Sequence, residues 1–437
     1  MAQQNITIGT ADAKAGDTLF SAFTKTQANF TELYDDNLSS TITVNQSNVE
    51  ATLGGVIDST KVYLIDGVID MTGITVTVPS GGLSLVGVSF DVSKLVCNDV
   101  NYTMFVSPVG GSGNILGKDY AIEVTGSNSS VYSLTSATGF DAFEFARINY
   151  NDCTSLGEIT NYRQGLETGT GRFGGTPELT LSGTWVGGYF IDTSIVRSID
   201  SGSYSLFKAG AAFMMSSRFR SNQNIDLPTG VSFFDFSPAH FPNPSTVQLD
   251  GVIMTRNGFF SPSDPDYTPN MTKGDLSSSW TNNNGMPNTF EGGTTSIDTE
   301  ATTVISVADT FYNLNAGAWN TFGLQHFDTP SGGQLRHLGN TPREYKVIAD
   351  FTMESIANGT ITLRVSKYNA ATASAETVID QTRQVNSLVG TRDIAFFNIN
   401  INVELDQNDY IFLQVATVGA TSDITAEKES YYIVEAR

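Results

Sequence analysis

Residues 179–191 read LTLSGTWVGGYFI, a stretch of strand character with glycines placed where turns belong. Similar runs recur through residues 39–262, and turn clusters such as PSGG and VGGSGN separate them. The other runs are KVYLI (61–65), ITVTV (74–78), LSLVGVSFDV (83–92), AIEVTG (121–126), FEFARINY (143–150), SYSLFKAGAAFMM (203–215), SFFDFS (232–237) and STVQLDGVIM (245–254). They return roughly every 20 to 25 residues, which favours stacked coils over a sandwich. We therefore predict that residues 39–262 form a right-handed parallel β-helix shaft.

Residues 263–290 differ in composition, being rich in Pro, Ser, Asn and Gly and poor in apolar side chains. This segment is predicted to be a linker or a surface-hugging connection, with Trp280, Met286 and Phe290 as the side chains that would hold it in place. Residues 291–437 then alternate between apolar and polar in runs such as YKVIADFTMESI and RDIAFFNININVEL. We expect about seven or eight antiparallel strands there, in a jelly-roll or related sandwich. The predicted fold class is therefore mainly β.

The first 38 residues are the exception, because a short helix is predicted after Asp17, whose carboxylate can cap the first turn. Side chains of an a/d seam recur at spacings of four, three, four and three, at Leu19, Phe23, Thr26, Phe30 and Leu33. A helix this short is marginal alone. We expect it to bury the seam by self-association or by docking onto another protein; packing onto its own chain is the alternative.

The charge balance narrows the choice of partners. The 437-residue chain has 45 acidic and 23 basic residues and a net charge of −22. Such a chain repels phosphate backbones and anionic membranes, so we expect no nucleic-acid partner. Its two cysteines make no disulfide framework. The sequence has no run of 18 apolar residues, and its first residues do not combine a basic stretch with an apolar one. We therefore expect no conventional secretion signal, synthesis in the cytoplasm and no membrane insertion.

The segment IGTADAKAGDTLFSAFTKTQANFTELY (8–34) resembles the attachment segment that begins many bacteriophage tail fibre and tailspike proteins. The matching residues are Gly16, Asp17, Thr18, Leu19, Phe23, Asn29, Phe30, Glu32, Leu33 and Tyr34. Residues 161–199 and 325–347 also resemble blocks of phage fibre-like proteins, the second opening a C-terminal jelly-roll there. The resemblance touches all three predicted folded parts, although only as blocks.

The resemblance implies a homotrimer within a virion. Residues 1–38 would attach to other virion proteins and the shaft would give reach. The C-terminal jelly-roll, residues 291–437, would serve host recognition or trimerisation, and the receptor would lie on the host surface and could be a glycan. The seam by itself fits two, three or more helices. Attachment to the tail is the leading expectation, and attachment to the capsid as a head fibre or decoration protein is an alternative.

Many tailspikes of this kind cleave host polysaccharide, so an enzyme is the second hypothesis. Glycoside hydrolysis needs two carboxylates flanking one bond. Glu144, Asp152 and Glu158 are weak candidates, with Asp152 and Glu158 expected on adjacent coils. In a chain with 45 acidic residues some clustering is inevitable, so we interpret them as solvated turn and edge residues and assign no catalytic residue.

The block GGQLRHLGNTPREYKV (332–347) concentrates cations in a chain that has few. Arg336, His337 and Arg343 are predicted either to line a ligand pocket or, as we prefer, to lie at a subunit interface, where Arg is enriched. The nearby aromatic residues Trp319, Phe322 and Phe327 are expected to pack rather than to bind sugar. The sequence has no zinc-ligand spacing and no nucleotide-binding fingerprint, so we predict no metal and no cofactor.

Overall fold

The computed structural model describes residues 24–26, 40–261, 264–340, 342–355, 359–377, 384–388 and 394–437. Residues 24–26 are helical, whereas the predicted seam residues Leu19, Phe23, Phe30 and Leu33 lie outside the described residues. The chain divides into two compact units. Unit 1 comprises Met1–Phe236, Gly251–Pro269 and Asn284–Met286, and unit 2 comprises Ser237–Asp250, Asn270–Asn283 and Pro287–Arg437.

Unit 1 consists mainly of short strands. After one turn of helix, α1 (Val49–Thr52), and the strand before it, the pattern is strand, corner, strand throughout. The strands are β1 (Thr41–Val44), β2 (Val62–Ile65), β3 (Val68–Asp70), β4 (Val76–Thr77), β5 (Leu83–Gly87), β6 (Lys94–Cys97), β7 (Thr103–Val106), β8 (Ile115–Lys118), β9 (Ala121–Val124), β10 (Ser130–Thr135), β11 (Ala142–Ala146), β12 (Asn149–Cys153), β13 (Gly157–Thr160), β14 (Gln164–Thr168), β15 (Gly171–Gly175), β16 (Leu179–Ser182), β17 (Thr184–Trp185), β18 (Gly188–Val196), β19 (Tyr204–Ala209), β20 (Met214–Met215), β21 (Arg218–Leu227) and β22 (Val231–Phe234).

Most of these strands pair in parallel with the strand three positions further along the chain, and one such repeat of three strands is called a coil. A first face is formed by β1, β2, β5, β8, β11, β14 and the start of β18, and a second face by β3, β6, β9, β12, β15 and the end of β18. A third face contains β4, β7, β10, β13, β16, β19 and β22. The prediction of a mainly β chain with long parallel sheets is confirmed, and this sequential pairing is consistent with the predicted β-helix.

The coils are less regular than the sequence predicted. Val62 pairs with Ser84 and Ser84 with Leu116, so these successive coils take 22 and 32 residues rather than a uniform 20 to 25. The strands keep similar lengths, and the variation lies in the connections between them, such as residues 107–114. Insertions in exposed corners cost little, because the stacked strands bury the same apolar area.

A one-residue corner joins the first face to the second. Asp119, Arg147, Gly169 and Thr193 occupy it in four successive coils, with φ of 62°, 55°, 64° and 54°. This left-handed conformation turns the chain sharply within a single residue. Arg147 Nη2 donates to Asp119 Oδ2 at 2.7 Å across two of these corners. Because the corner has constant length in these four coils, their second-face strands start in the same register and their outward side chains line up in rows.

The remaining strands belong to unit 2, except β24, which belongs to unit 1 and pairs in parallel with β21. They are β23 (Thr246–Asp250), β24 (Ile253–Arg256), β25 (Ser278–Thr281), β26 (Gly292–Thr299), β27 (Thr302–Thr303), β28 (Tyr312–Asn313), β29 (Ala318–Gln325), β30 (Phe327–Asp328), β31 (Gln334–His337), β32 (Arg343–Ser355), β33 (Gly359–Asn369), β34 (Ser374–Thr377), β35 (Gln384–Leu388), β36 (Ile394–Leu405), β37 (Tyr410–Val418), β38 (Ile424–Ala426) and β39 (Tyr431–Ala436). Two 3-10 turns occur at Pro238–His240 and Pro265–Tyr267.

Most of unit 2 consists of two antiparallel sheets around one core. One sheet has the order β27-β38-β32-β39-β26-β29 with β36 beside β32, and the other has β30-β31-β37-β33-β34 with β28 and β35 attached. Phe351 and Val434 of the first sheet and Leu363 and Leu413 of the second belong to one buried cluster. Strand β36 alternates exposed and buried along all its residues, as the sequence pattern predicts for a strand with one wet face.

The segment predicted as a linker, residues 263–290, is more structured than its composition suggests. Strand β25 lies within it and pairs in parallel with β23. Tyr267, Met271, Trp280 and Met286 are buried. The two compact units also alternate along residues 237–290, so the boundaries do not coincide with the predicted 262/263 and 290/291. A few large apolar side chains among many polar ones suffice to hold this backbone.

Candidate functional site

The second face of unit 1 presents two rows of outward side chains. The strand register places Lys94, Ala121, Asn149, Gly171 and Ile195 side by side on five successive coils. Asn151 and Phe173 are neighbours in the adjacent row. Parallel strands lie about 4.8 Å apart, so the four steps from Lys94 to Ile195 span about 19 Å.

An open cleft of about 760 Å³ runs over these rows. Its floor and walls are mostly small or polar, with two aromatic rings. The lining residues are Phe90, Asp91, Lys94, Asn149, Asn151, Gly169, Thr170, Gly171, Phe173, Thr193, Ile195, Arg197 and Ser198. Gly169 and Thr193 are corner residues, so the regular corner forms one edge of the cleft.

Phe173 is the central apolar surface of the cleft. The guanidinium of Arg197 lies 5.4 Å from the centre of its ring. A Cβ at Gly171 would come within 2.5 Å of that ring and within 2.6 Å of Asn149 Oδ1. The absence of a side chain at Gly171 thus lets the ring lie over the backbone. An aromatic face next to a cation and an amide offers both apolar contact and directed polar bonds.

Several polar side chains of the cleft have no partner. Lys94, Asn149, Asn151 and Arg197 make no side-chain hydrogen bond or ion pair with any residue in the described part of the chain. Asn149 lacks such a partner although its side chain is almost buried, with 8% of the residue exposed. Polar groups that converge on a cleft without intramolecular partners must bind water or a ligand. The arrangement can therefore hold a polar ligand against an aromatic ring.

The predicted catalytic candidates are not brought together. Glu144, Asp152 and Glu158 lie on the same coil, not on adjacent coils, and each belongs to a different face. Glu144 accepts a hydrogen bond from Gln164 Nε2 at 2.6 Å, and Glu158 accepts one from Ser182 Oγ. Asp152 is exposed at the end of β12. Residues close in sequence diverge here because the chain turns a corner between them.

The predicted C-terminal residues are engaged within unit 2. Arg336 forms two hydrogen bonds to Asp328, with Nε–Oδ1 at 2.8 Å and Nη2–Oδ2 at 2.5 Å. Arg343 Nη1 lies 3.3 Å from Glu291 Oε1. His337 is fully buried, and this burial lowers its pKa. His337 therefore cannot meet a ligand at the surface.

The three aromatic residues expected to pack divide between two roles. Phe327 is buried and Trp319 packs against the core of unit 2. Phe322, in contrast, is 53% exposed and lines an open hollow of about 450 Å³ on the outer side of its sheet. The packing prediction is therefore wrong for Phe322.

Sequence reasoning missed the cleft residues. Lys94, Asn149, Gly171 and Arg197 are far apart in the chain, and nothing in a single stretch marks them as a group. Only the register between coils unites them. The one local signal is the sequence at 171–173, where a single residue separates Gly171 from Phe173.

No protein-family model and no curated protein matches the sequence. Among solved structures, an Eiger TNF from S. frugiperda is similar at 14% identity, covering 34% of this chain and 92% of that one, with a TM-score of 0.25. Murine APRIL at pH 5.0 is similar at 11% identity, covering 34% of this chain and 99% of that one, also with a TM-score of 0.25. At these TM-scores we infer nothing about this chain from either structure. Among the described residues, no helix is long and apolar enough to cross a membrane.

Proposed function

We propose that this chain is a fibre or spike protein of a bacteriophage virion, and that it recognises the host surface by binding a glycan in the cleft of unit 1. The observation that carries recognition is the cleft, in which Asn149, Asn151 and Arg197 lie around the ring of Phe173 and have no side-chain hydrogen bond or ion pair among the described residues. Sugars present hydroxyls at their edges and apolar C–H faces, which suits such a surface.

Binding of host cells tests this proposal. Phe173→Ala combined with Asn149→Ala removes the apolar surface and one amide, and should weaken binding of the chain to host cells by about tenfold or more. Phe140→Ala is the matched control, since this ring is 71% exposed in unit 1 and does not line the cleft. Equal binding by the cleft variant and the control would reject the cleft as the receptor site.

Attachment to the virion is assigned to residues 1–38, on the resemblance and the a/d seam. Phe23→Asp with Phe30→Asp should leave both units folded and abolish incorporation into virions, because charges at the seam oppose its burial. Gln27→Asp with Thr31→Asp adds the same charge off the seam and serves as control. Electron microscopy of labelled virions would separate the tail from the capsid alternative.

We further propose that unit 2 is a jelly-roll and that the chain is a homotrimer. The first face of unit 1 supports self-association, because Val62, Val86, Leu116 and Leu166 line an outward hollow of about 380 Å³. Leu116 is 39% exposed. Apolar surface of this kind on a sheet favours contact with another protein. Light scattering should give three times the chain mass, and Leu116→Lys should lower it; a monomeric wild-type chain would contradict the trimer.

Cleavage of the glycan is the alternative function. Two carboxylates must flank the bond, and the cleft lining contains one, Asp91. The geometry therefore favours binding. New reducing ends, measured after incubation of the chain with host polysaccharide, would establish the enzyme instead.

A further inference from the structure

We infer that the ligand of the cleft is an anionic saccharide of several units that carries negative charge at more than one position along its length. This inference deepens the proposed function and rests on it. Lys94 and Arg197, whose charges are unpaired within the described residues, both line the cleft.

These two cations are distinguished by sharing one cleft of a chain in which acidic residues outnumber basic ones by 45 to 23. In unit 1, Arg147, Arg172, Lys208 and Arg256 have ion partners. Arg163, Arg218 and Arg220 form no ion pair among the described residues either, but none of them lines the cleft. Two cations held without partners in one cleft make a local positive field in an otherwise acidic molecule, and clefts focus such fields on a ligand.

The positions of the cations define the spacing of the ligand charges. Lys94 opens β6 and Arg197 directly follows β18, four strand steps away, which corresponds to about 19 Å. The interval contains the amides of Asn149 and Asn151 and the ring of Phe173. Glu123 also lies there, beside Val96 in the adjacent row, but it is not among the residues that line the cleft. A single compact anion cannot contact both ends, whereas a saccharide with acidic groups on successive repeats can.

The remaining charge in the lining does not reverse this preference. Asp91 is the one carboxylate among the lining residues, so the lining carries two positive charges and one negative charge. Arg197 also stacks on Phe173, which orients its guanidinium beside the surface where a sugar ring would lie. An arginine fork held in this way binds carboxylate and phosphate oxygens in pairs.

The test is an array of structurally defined bacterial polysaccharides in three classes: neutral, uronic-acid-bearing and phosphate-bearing. We expect the full chain to bind one or both acidic classes and not the neutral class, with affinity falling as NaCl rises. The acidic arms identify carboxylate or phosphate as the source of the charge. Lys94→Gln and Arg197→Gln should each weaken that binding about tenfold. Arg163→Gln is the matched control, since this exposed arginine of unit 1 does not line the cleft.

The outcomes separate the two proposals. If the chain binds a neutral saccharide, and Phe173→Ala weakens this while Lys94→Gln and Arg197→Gln do not, the anionic inference fails and the proposed function stands. If no saccharide binds, or if Phe173→Ala changes nothing, both fail. Carboxyl reduction of a bound uronic polysaccharide removes its charge and keeps its backbone, so retained affinity after reduction would also overturn the inference.

Discussion

The ion pair inside unit 1 gives the sharpest test of how the coils are held together. Glu167 of β14 and Arg172 of β15 are both 0% exposed. Arg172 Nη2 donates to both carboxylate oxygens at 3.0 Å, and the Tyr189 hydroxyl donates to Glu167 Oε1 at 2.5 Å. The guanidinium also lies 4.8 Å from the ring centre of Phe207. The two charges thus compensate each other in a core whose other side chains are mostly apolar or aromatic.

Glu167→Gln keeps the size of the side chain and removes its charge. Arg172 then remains charged in the core, where its Nε and Nη1 already have no hydrogen-bond partner within the part of the chain that the structure describes. Breaking a buried pair from one side costs about 3–5 kcal/mol. Replacing both partners with apolar residues, Glu167→Leu with Arg172→Met, should cost much less, because no charge is left buried.

Hydrogen–deuterium exchange of peptides covering residues 164–175 measures this loss locally, without assuming that both units unfold together. A loss of 3–5 kcal/mol corresponds to protection reduced by about 10² to 4 × 10³-fold, at 1.4 kcal/mol per tenfold. Asp119→Asn is the control, since it breaks the Asp119–Arg147 pair, whose arginine is exposed. If Glu167→Gln exchanged no faster than Asp119→Asn, the buried charges would not be the reason for the stability of these coils.

Three further predictions concern single side chains. Burial disfavours the Glu291 carboxylate, but hydrogen bonds and a nearby arginine prevail and lower its pKa to about 2 from an ordinary 4.5. The charged carboxylate therefore stabilises unit 2 fully above pH 4.5, and this stabilisation, about 3 kcal/mol in all, is lost as the pH falls from 4.5 to 2. In the Glu291→Gln variant, the melting temperature of unit 2 should depend less on pH across that window. Gly171→Ala should weaken ligand binding, because the added Cβ displaces the Phe173 ring. A melting temperature near that of the wild type would show that the effect is confined to the cleft. Burial raises the pKa of Cys153 to about 12, so iodoacetamide at pH 8 should modify this thiol only in denaturant, and modification of the native chain would contradict its burial.

The strands of the chain were the predictable part. The run LSLVGVSFDV (83–92) contains β5, and YKVIADFTMESI contains most of β32, because alternation and β-branched residues follow directly from the environment of a strand. The coil length was predicted less well, because corner loops vary without affecting the strands. Within the segment of linker-like composition, Trp280 and Met286 are buried, so apolar side chains hold a connection that its polar composition alone does not reveal.

The candidate site could not be predicted by the same means, because its side chains come from strands of different coils. Glu144, Asp152 and Glu158 were grouped by closeness in sequence, yet corners send them to three different faces. Asn149 and Gly171, which share the cleft, are 22 residues apart. The pairing register between neighbouring strands decides such contacts. Because the coils differ in length, this register cannot be obtained by counting residues along one sequence.

Glycines within strands nevertheless carry a signal that the register makes readable. A strand glycine is unfavourable unless something approaches the backbone closely. A Cβ at Gly117 would meet the ring of Phe145 at 2.4 Å, and one at Gly165 would meet the ring of Tyr189 at 2.3 Å; these rings are buried in the core. Gly171 meets the ring of Phe173, which lies outside, because the buried Arg172 stands between them and fixes the alternation. The inner pairs are therefore cross-strand pairs, in which the ring of the next strand packs over the glycine inside the coil. Gly171 and Phe173 instead lie on one strand on either side of a buried residue, so their contact is on the outer side, where the ring stays accessible.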